Sequence, residues 1–279
     1  MIALLRVESV KALRRLRTYI TFGIVIAIPI IMTIAIKTNP PDSARGSDGG
    51  GPGGSALRFL STQSGWVMPA SALRLMSVFL LVIVVAVFGG DAIAGEASWG
   101  NLRYLLMRPI SRMRLLGAKF FVAMLCAWIA VTLVVITGLI AGAIAFGLHP
   151  LNVPIFTQYS QSNVDLLGHL ALATVYVSWT LSTVVAFSFL VSTMTDAPTG
   201  AVFAGVGLYI TSTILDSIDS IPSAIRNVMP THYDGAWIDM FTKNSVSSDM
   251  GKGALLPLAY IAVFVAIAAW HFRRKDILS

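Results

Sequence analysis

The chain has 279 residues, of which 56% are hydrophobic and only 12% charged. A soluble domain carries about 25% charged residues, so this composition excludes an ordinary globular protein and points to a polytopic membrane protein. The formal net charge of +7 is no sign of nucleic-acid binding, because the cations flank apolar runs, where topology and anionic headgroups account for them.

The N-terminal residues 1–17 read as an amphipathic helix lying in the membrane interface. Ile2, Leu5, Val10, Leu13 and Leu16 are its apolar residues, and Lys11, Arg14, Arg15 and Arg17 are cationic. Six runs of near-spanning length follow, at 18–36, 71–90, 118–147, 167–193, 198–216 and 254–272. Each reaches or nearly reaches the roughly 20 residues that cross the hydrocarbon, and the third and fourth exceed it, so they are expected to tilt or emerge into water. The expected fold is therefore an all-α membrane protein with six transmembrane helices in one domain.

Lys and Arg set the orientation. With the N-terminus in the cytoplasm, thirteen of the twenty cations fall on the inner side and seven on the outer side. The inner ones crowd the helix ends, where the positive-inside rule counts most. Both termini are expected in the cytoplasm. Pro29 is expected to bend the first span.

The external loops are 37–70 and 217–253. The first contains a Gly-rich stretch over 49–54 that lacks the Gly-Lys-Ser/Thr of a phosphate-binding loop, so no nucleotide site is read here. The second carries Trp237 and Phe241, which suit an aromatic belt or a re-entrant hairpin at the outer interface. An external gate is the alternative reading. Asp216, Asp219, His232, Tyr233, Asp234 and Asp239 are the one dense polar group.

Between the second and third spans lies a basic region, 94–114. Trp99, Leu102, Leu105 and Leu106 fall within reach of one helix face, with Arg103 and Arg108 elsewhere. Pro109 ends that helix, and Ser111 is placed to cap the next, which starts at Arg112. Asp91 and Glu96 sit at the inner end of the second span, an unusual place for acids, with arginines as expected partners. Spacing alone does not separate a coupling element from a basic loop that obeys topology.

The run Gly95, Glu96, Gly100, Leu102, Leu105, Leu106, Pro109, Ile110, Ser111, Arg112, Leu116 and Lys119 resembles the signature of ABC-2 type exporter permeases. The basic N-terminal helix, the six-span layout and the stretch Met229, Pro230, His232, Tyr233, Trp237, Phe241 are similar to that family too. Asn101 and the long Gly-rich loop depart from its pattern. The resemblance implies the transmembrane, non-enzymatic subunit of an ABC transporter in a bacterial plasma membrane. It implies a separate ATP-binding subunit, in two copies, which binds the ATP and Mg that this chain does not. It also implies a second permease subunit, identical or not. Glu96, Trp99, Gly100, Leu102, Arg103, Leu105, Leu106, Arg108, Pro109, Ser111 and Arg112 would then couple the spans to the ATPase.

No span carries an acid or base at its centre, which disfavours an ion-coupled carrier and suits a hydrophobic or amphipathic substrate. Thr174, Ser178 and Ser182 form a weakly polar stripe on the fourth span. It reads either as helix packing by small hydroxyl residues or as a pathway lining. Gly138 and Gly142 make a small-xxx-small pair suited to close packing, and Cys126 reads as a packing residue. Two other functions stay in view. One is a membrane scaffold or assembly factor moved by the same ATPase without solute transport. The other is a membrane-embedded enzyme, for which one cysteine and four scattered histidines offer no metal-ligand spacing.

Overall fold

A computed structural model describes residues 2–40, 54–98, 111–150, 162–218, 220–242 and 248–274. Among these the secondary structure is helical throughout. The elements in order are α1 (Ile2–Arg14), α2 (Leu16–Thr38), α3 (Gly54–Gln63), α4 (Met68–Ser77), α5 (Leu80–Ala97), α6 (Arg112–Phe146), α7 (Asn163–Met194), α8 (Pro198–Asp216), α9 (Ser223–Arg226), a 3-10 turn (Ala236–Ile238), α10 (Asp239–Thr242) and α11 (Ser248–Arg274). Six of them, α2, α5, α6, α7, α8 and α11, are long and apolar enough to cross a bilayer. Helices are the form such runs must take, because hydrocarbon offers no partner for an exposed backbone N–H or C=O.

Local chemistry sets several boundaries. Ser162 caps α7, its hydroxyl accepting from Asp165 N while the Asp165 carboxylate accepts from Ser162 N. Pro198 opens α8, where a missing N–H costs nothing. Gly147 ends α6 with φ +74°, a conformation that favours glycine. Ser111 stands at the N-cap position of α6 as expected, but its side chain makes no capping hydrogen bond.

The second apolar run departs from its expected bounds. Residues 71–77 belong to α4, and the helix resumes at Leu80 after Phe79 leaves helical geometry (φ −143°, ψ −54°). The spanning helix thus runs on to Ala97, which draws Asp91 and Glu96 into its last two turns.

α5 is the centre of the bundle, packed on α7, α8 and α6; α11 lies on α7, and α2 and α4 on α6. Adjacent glycines let its neighbours approach. A Cβ on Gly89 would meet Val185 O at 2.5 Å, and one on Gly90 would meet Val202 N at 2.9 Å. Gly138 and Gly142 of α6 serve the same purpose against Pro69 and Gly65. Buried Cys126 packs in α6.

Candidate functional site: a buried ion network at one end of the bundle

Six charged side chains from α1, α2, α5 and α6, together with Arg15 between the first two, meet at one end of the molecule. Lys119 of α6, only 4% exposed, is the hub: its Nζ lies 2.9 Å from Glu8 Oε2 and 2.6 Å from Glu96 Oε2. The first contact is a hydrogen bond. The second is an ion contact outside hydrogen-bond geometry, since Glu96 Oε2 has no hydrogen-bond donor. Lys11 adds contacts to Glu8 at 3.2 Å and Glu96 at 3.8 Å. Arg15 and Arg17 clamp the two oxygens of Asp91 at 2.6 and 2.8 Å, and Arg15 also reaches Glu96 at 3.6 Å.

The local sequence explains this convergence. Glu8 and Lys11 are three apart and share one face of α1. Arg15 sits in extended geometry between α1 and α2, which turns the chain so that Arg15 and Arg17 both point at Asp91. Burial works to raise the Glu8 carboxyl, and the Lys119 ammonium, followed by Lys11, overcomes it, so the group titrates below its ordinary value. A cavity of about 60 Å³ beside the network exceeds the roughly 10–15 Å³ that one water needs.

The network brackets residues 98–111. Glu96 stands just before this connection and holds α1 through Lys11, while Lys119, two turns into the helix after it, holds α1 through Glu8; Arg15, just beyond α1, also reaches Glu96. Trp99, Gly100, Leu102, Arg103, Leu105, Leu106, Arg108 and Pro109 lie outside the described residues. Ser111 and Arg112 are exposed at the start of α6. Asp91 and Glu96 were legible as unusual acids. Glu8 was not singled out, and Lys119 entered only as the last residue of the resemblance run; nothing in sequence distance joins two positions 111 residues apart.

Two hydroxyls of the α7 stripe, those of Thr174 and Ser182, bond within the chain. Ser178 and Ser182 are buried; Ser182 donates to Ser178 O and accepts from Trp128 Nε1 at 3.0 Å. Thr174 bonds back to Leu170 O. Further along, Ser192 Oγ receives Ile93 N and Ala94 N at 3.1 and 2.8 Å, fixing α7 against α5 near the network.

A second polar group lies at the opposite end. His232 Nδ1 contacts Asp216 Oδ1 at 2.5 Å, with Arg226 Nε 3.9 Å from the same oxygen. Asp234 lies near Tyr209, Arg74 and Asp216; burial pushes its carboxyl up to about 7, against the Tyr209 hydroxyl and Arg74, with Asp216 adding to the rise. Asp219 lies outside the described residues. The segment is pinned by Tyr176, whose hydroxyl donates to Tyr233 O at 2.7 Å, and by Tyr260, which donates to Val228 O at 2.9 Å. Trp237 and Phe241 are fully buried rather than set as a surface belt, and Phe241 stacks edge-on with His169 at 5.8 Å. Among the described residues, no three His, Cys, Asp or Glu gather as a metal site requires.

Six apolar spans and a charged network at one bundle end define an α-helical, multi-pass membrane protein. Residues 55–278 match the family described as a protein of unknown function (DUF2705), and the chain belongs to that family. No curated protein matches it.

Proposed function

We propose that this chain is the transmembrane permease subunit of an ATP-driven ABC-2 type exporter, in a bacterial plasma membrane with both termini cytoplasmic. The observation that carries the reading is the ion network that ties α1 to both flanks of the 98–111 connection. A soluble motor that pushes this connection moves Glu96 and Lys119 together. Because α1 is ion-paired to those residues, and α2 is held to α5 through Arg17 and Asp91, the push reaches three spanning helices at once. That is the mechanical requirement of an element that turns binding of a separate protein into a population shift among membrane conformations.

The partner would hold ATP and Mg, and two copies of it would work with this chain and a second permease subunit, identical or not. Apolar spans suit a hydrophobic or amphipathic cargo. The test is to purify the full chain from its native membrane and identify co-purifying proteins by mass spectrometry. An ATP-binding subunit is expected, and the reconstituted pair should couple ATP hydrolysis to vectorial movement of an amphipathic cargo. Absence of any ATPase, or labelling of Arg108 from the external side, refutes the reading. ATP-driven remodelling of a partner without solute movement would favour a scaffold instead.

A further inference from the structure

A trough of about 450 Å³ runs between α2 and α6 at the end away from the ion network. Its size falls within the roughly 300–1,000 Å³ of small-molecule sites. Ile30 and Ile34 of α2 and Ile140 and Ile144 of α6 stand exposed along it, with Ala141 and Ala145 on the α6 side. Two hydroxyls enter the lining, and both are already used: Thr33 bonds Pro29 O and Thr137 bonds Leu133 O, each at 2.7 Å. The surface offered is therefore apolar from end to end, apart from one charge. That charge is Lys37, in the last turn of α2. Among the described residues no carboxylate pairs with it.

The dimensions match one leaflet. α2 and α6 run parallel from the network, and the trough follows residues 30–37 of one and 137–145 of the other. At 1.5 Å per residue this is about 10–12 Å. Half of a hydrocarbon core of about 30 Å is about 15 Å. Lys37 ends a helix of 23 residues, which puts its ammonium at headgroup depth. The trough opens one residue beyond Pro29, where a missing N–H and the Thr33 back-bond are the two local features that bend a helix.

We propose that this trough is a specific lipid site, in which an acyl chain of one anionic phospholipid lies between α2 and α6 and its phosphate rests on Lys37. An apolar slot with a single cation at its mouth complements a linear tail and an anionic head. The site is independent of the energy source proposed above, and its failure would leave that reading untouched.

The test uses the full chain in detergent, titrated with phosphatidylglycerol or phosphatidylcholine, with bound lipid counted by native mass spectrometry. The first phosphatidylglycerol should be retained in preference to phosphatidylcholine. Lys37→Gln should lower that preference about fivefold, the effect of one interfacial cation. Ala141→Phe, which fills the slot, should remove the retained lipid. Lys37 is exposed, so its variant keeps the fold and decides the question even where Ala141→Phe does not fold. Equal retention of both lipids, or wild-type preference in Lys37→Gln, overturns the proposal. So does chain-to-chain cross-linking through Ile140→Cys in a Cys126→Ser background, which would put a second copy of this chain in the trough.

Discussion

Lys119→Met is the sharpest perturbation of the ion network. The substitution keeps an unbranched apolar stem of similar packing and removes the ammonium. Lys119 Nζ stands 2.9 Å from Glu8 and 2.6 Å from Glu96. At an effective dielectric of about 20 each pair is worth roughly 6 kcal/mol of gross attraction, most of it offset by desolvation of the ions. Removing one partner leaves two carboxylates buried at 6% and 5% exposure, and such orphaning costs about 3–5 kcal/mol. Lys11 remains within 3.2 Å of Glu8, so the lower half of that range is expected. For a chain of this size 1 kcal/mol moves the melting temperature by about 2–4 °C, giving a fall of about 6–15 °C in nanodiscs.

The double variant Glu8→Gln with Lys119→Met supplies the control. It removes one stranded carboxylate with the ammonium, and half or more of the lost stability should return. The coupling between the two sites should lie within about 0.5–3 kcal/mol. A fall under 2 °C for Lys119→Met, or a double variant that melts at the sum of both single losses, would refute the account of a coupled network.

Three further outcomes follow from the same geometry. Lys11→Ala should cost under about 1 kcal/mol in the same melting assay, because the side chain is 41% exposed and solvent screens its contacts. Gly89→Val should lower folded yield and stability by about 1–3 kcal/mol, since its Cβ would press on Val185 O, a backbone atom that cannot rotate away. Asp234 should make stability pH-dependent: its folded value of about 7 exceeds the unfolded value of about 4, so the folded chain holds the proton more tightly. That contribution is complete below about pH 4 and is lost as the pH rises through about 7. Asp234 is partly accessible as a residue although its carboxyl is enclosed, so the loss is on the order of 1–2 kcal/mol rather than the roughly 4 that 1.36 per unit gives. Comparison of melting temperatures of wild type and Asp234→Asn between pH 4 and 9 measures it, and parallel curves would count against it.

The spans were legible because lipid imposes a length and composition that few other structures share. The start of the second was not, because 68–90 is apolar apart from Ser71, Arg74 and Ser77, and the break at Val78 and Phe79 carries no Gly or Pro to mark it. That shift moved Asp91 and Glu96 from the rim of a span into its last two turns. Trp237 and Phe241 read as a belt because amphipathic aromatics usually lie at the interface; their burial follows from long-range packing on α3 and α7, which composition does not encode. Thr174, Ser178 and Ser182 were legible as a stripe, and only the neighbouring helix, through Trp128, shows that Ser182 is spent in packing.

Why ions hold α1 and the inner helix ends together follows from what apolar groups cannot do there. Between spanning helices an apolar contact differs little from a lipid contact, so it fixes register weakly. An apolar α1 could slide along the interface at small cost. A charge buried against two carboxylates cannot, because a displacement of one helical turn would strand all three groups in a poorly solvated site. Glu8, Lys119 and Glu96 therefore give this end of the bundle one preferred register. The steepness that resists drift also makes the α1, α5 and α6 ends move as a unit when residues 98–111 are displaced. Replacing the three ions by apolar residues of similar size is expected to keep much of the stability while losing that shared motion. Under the proposed function, stability and coupling are therefore expected to separate at the same three positions.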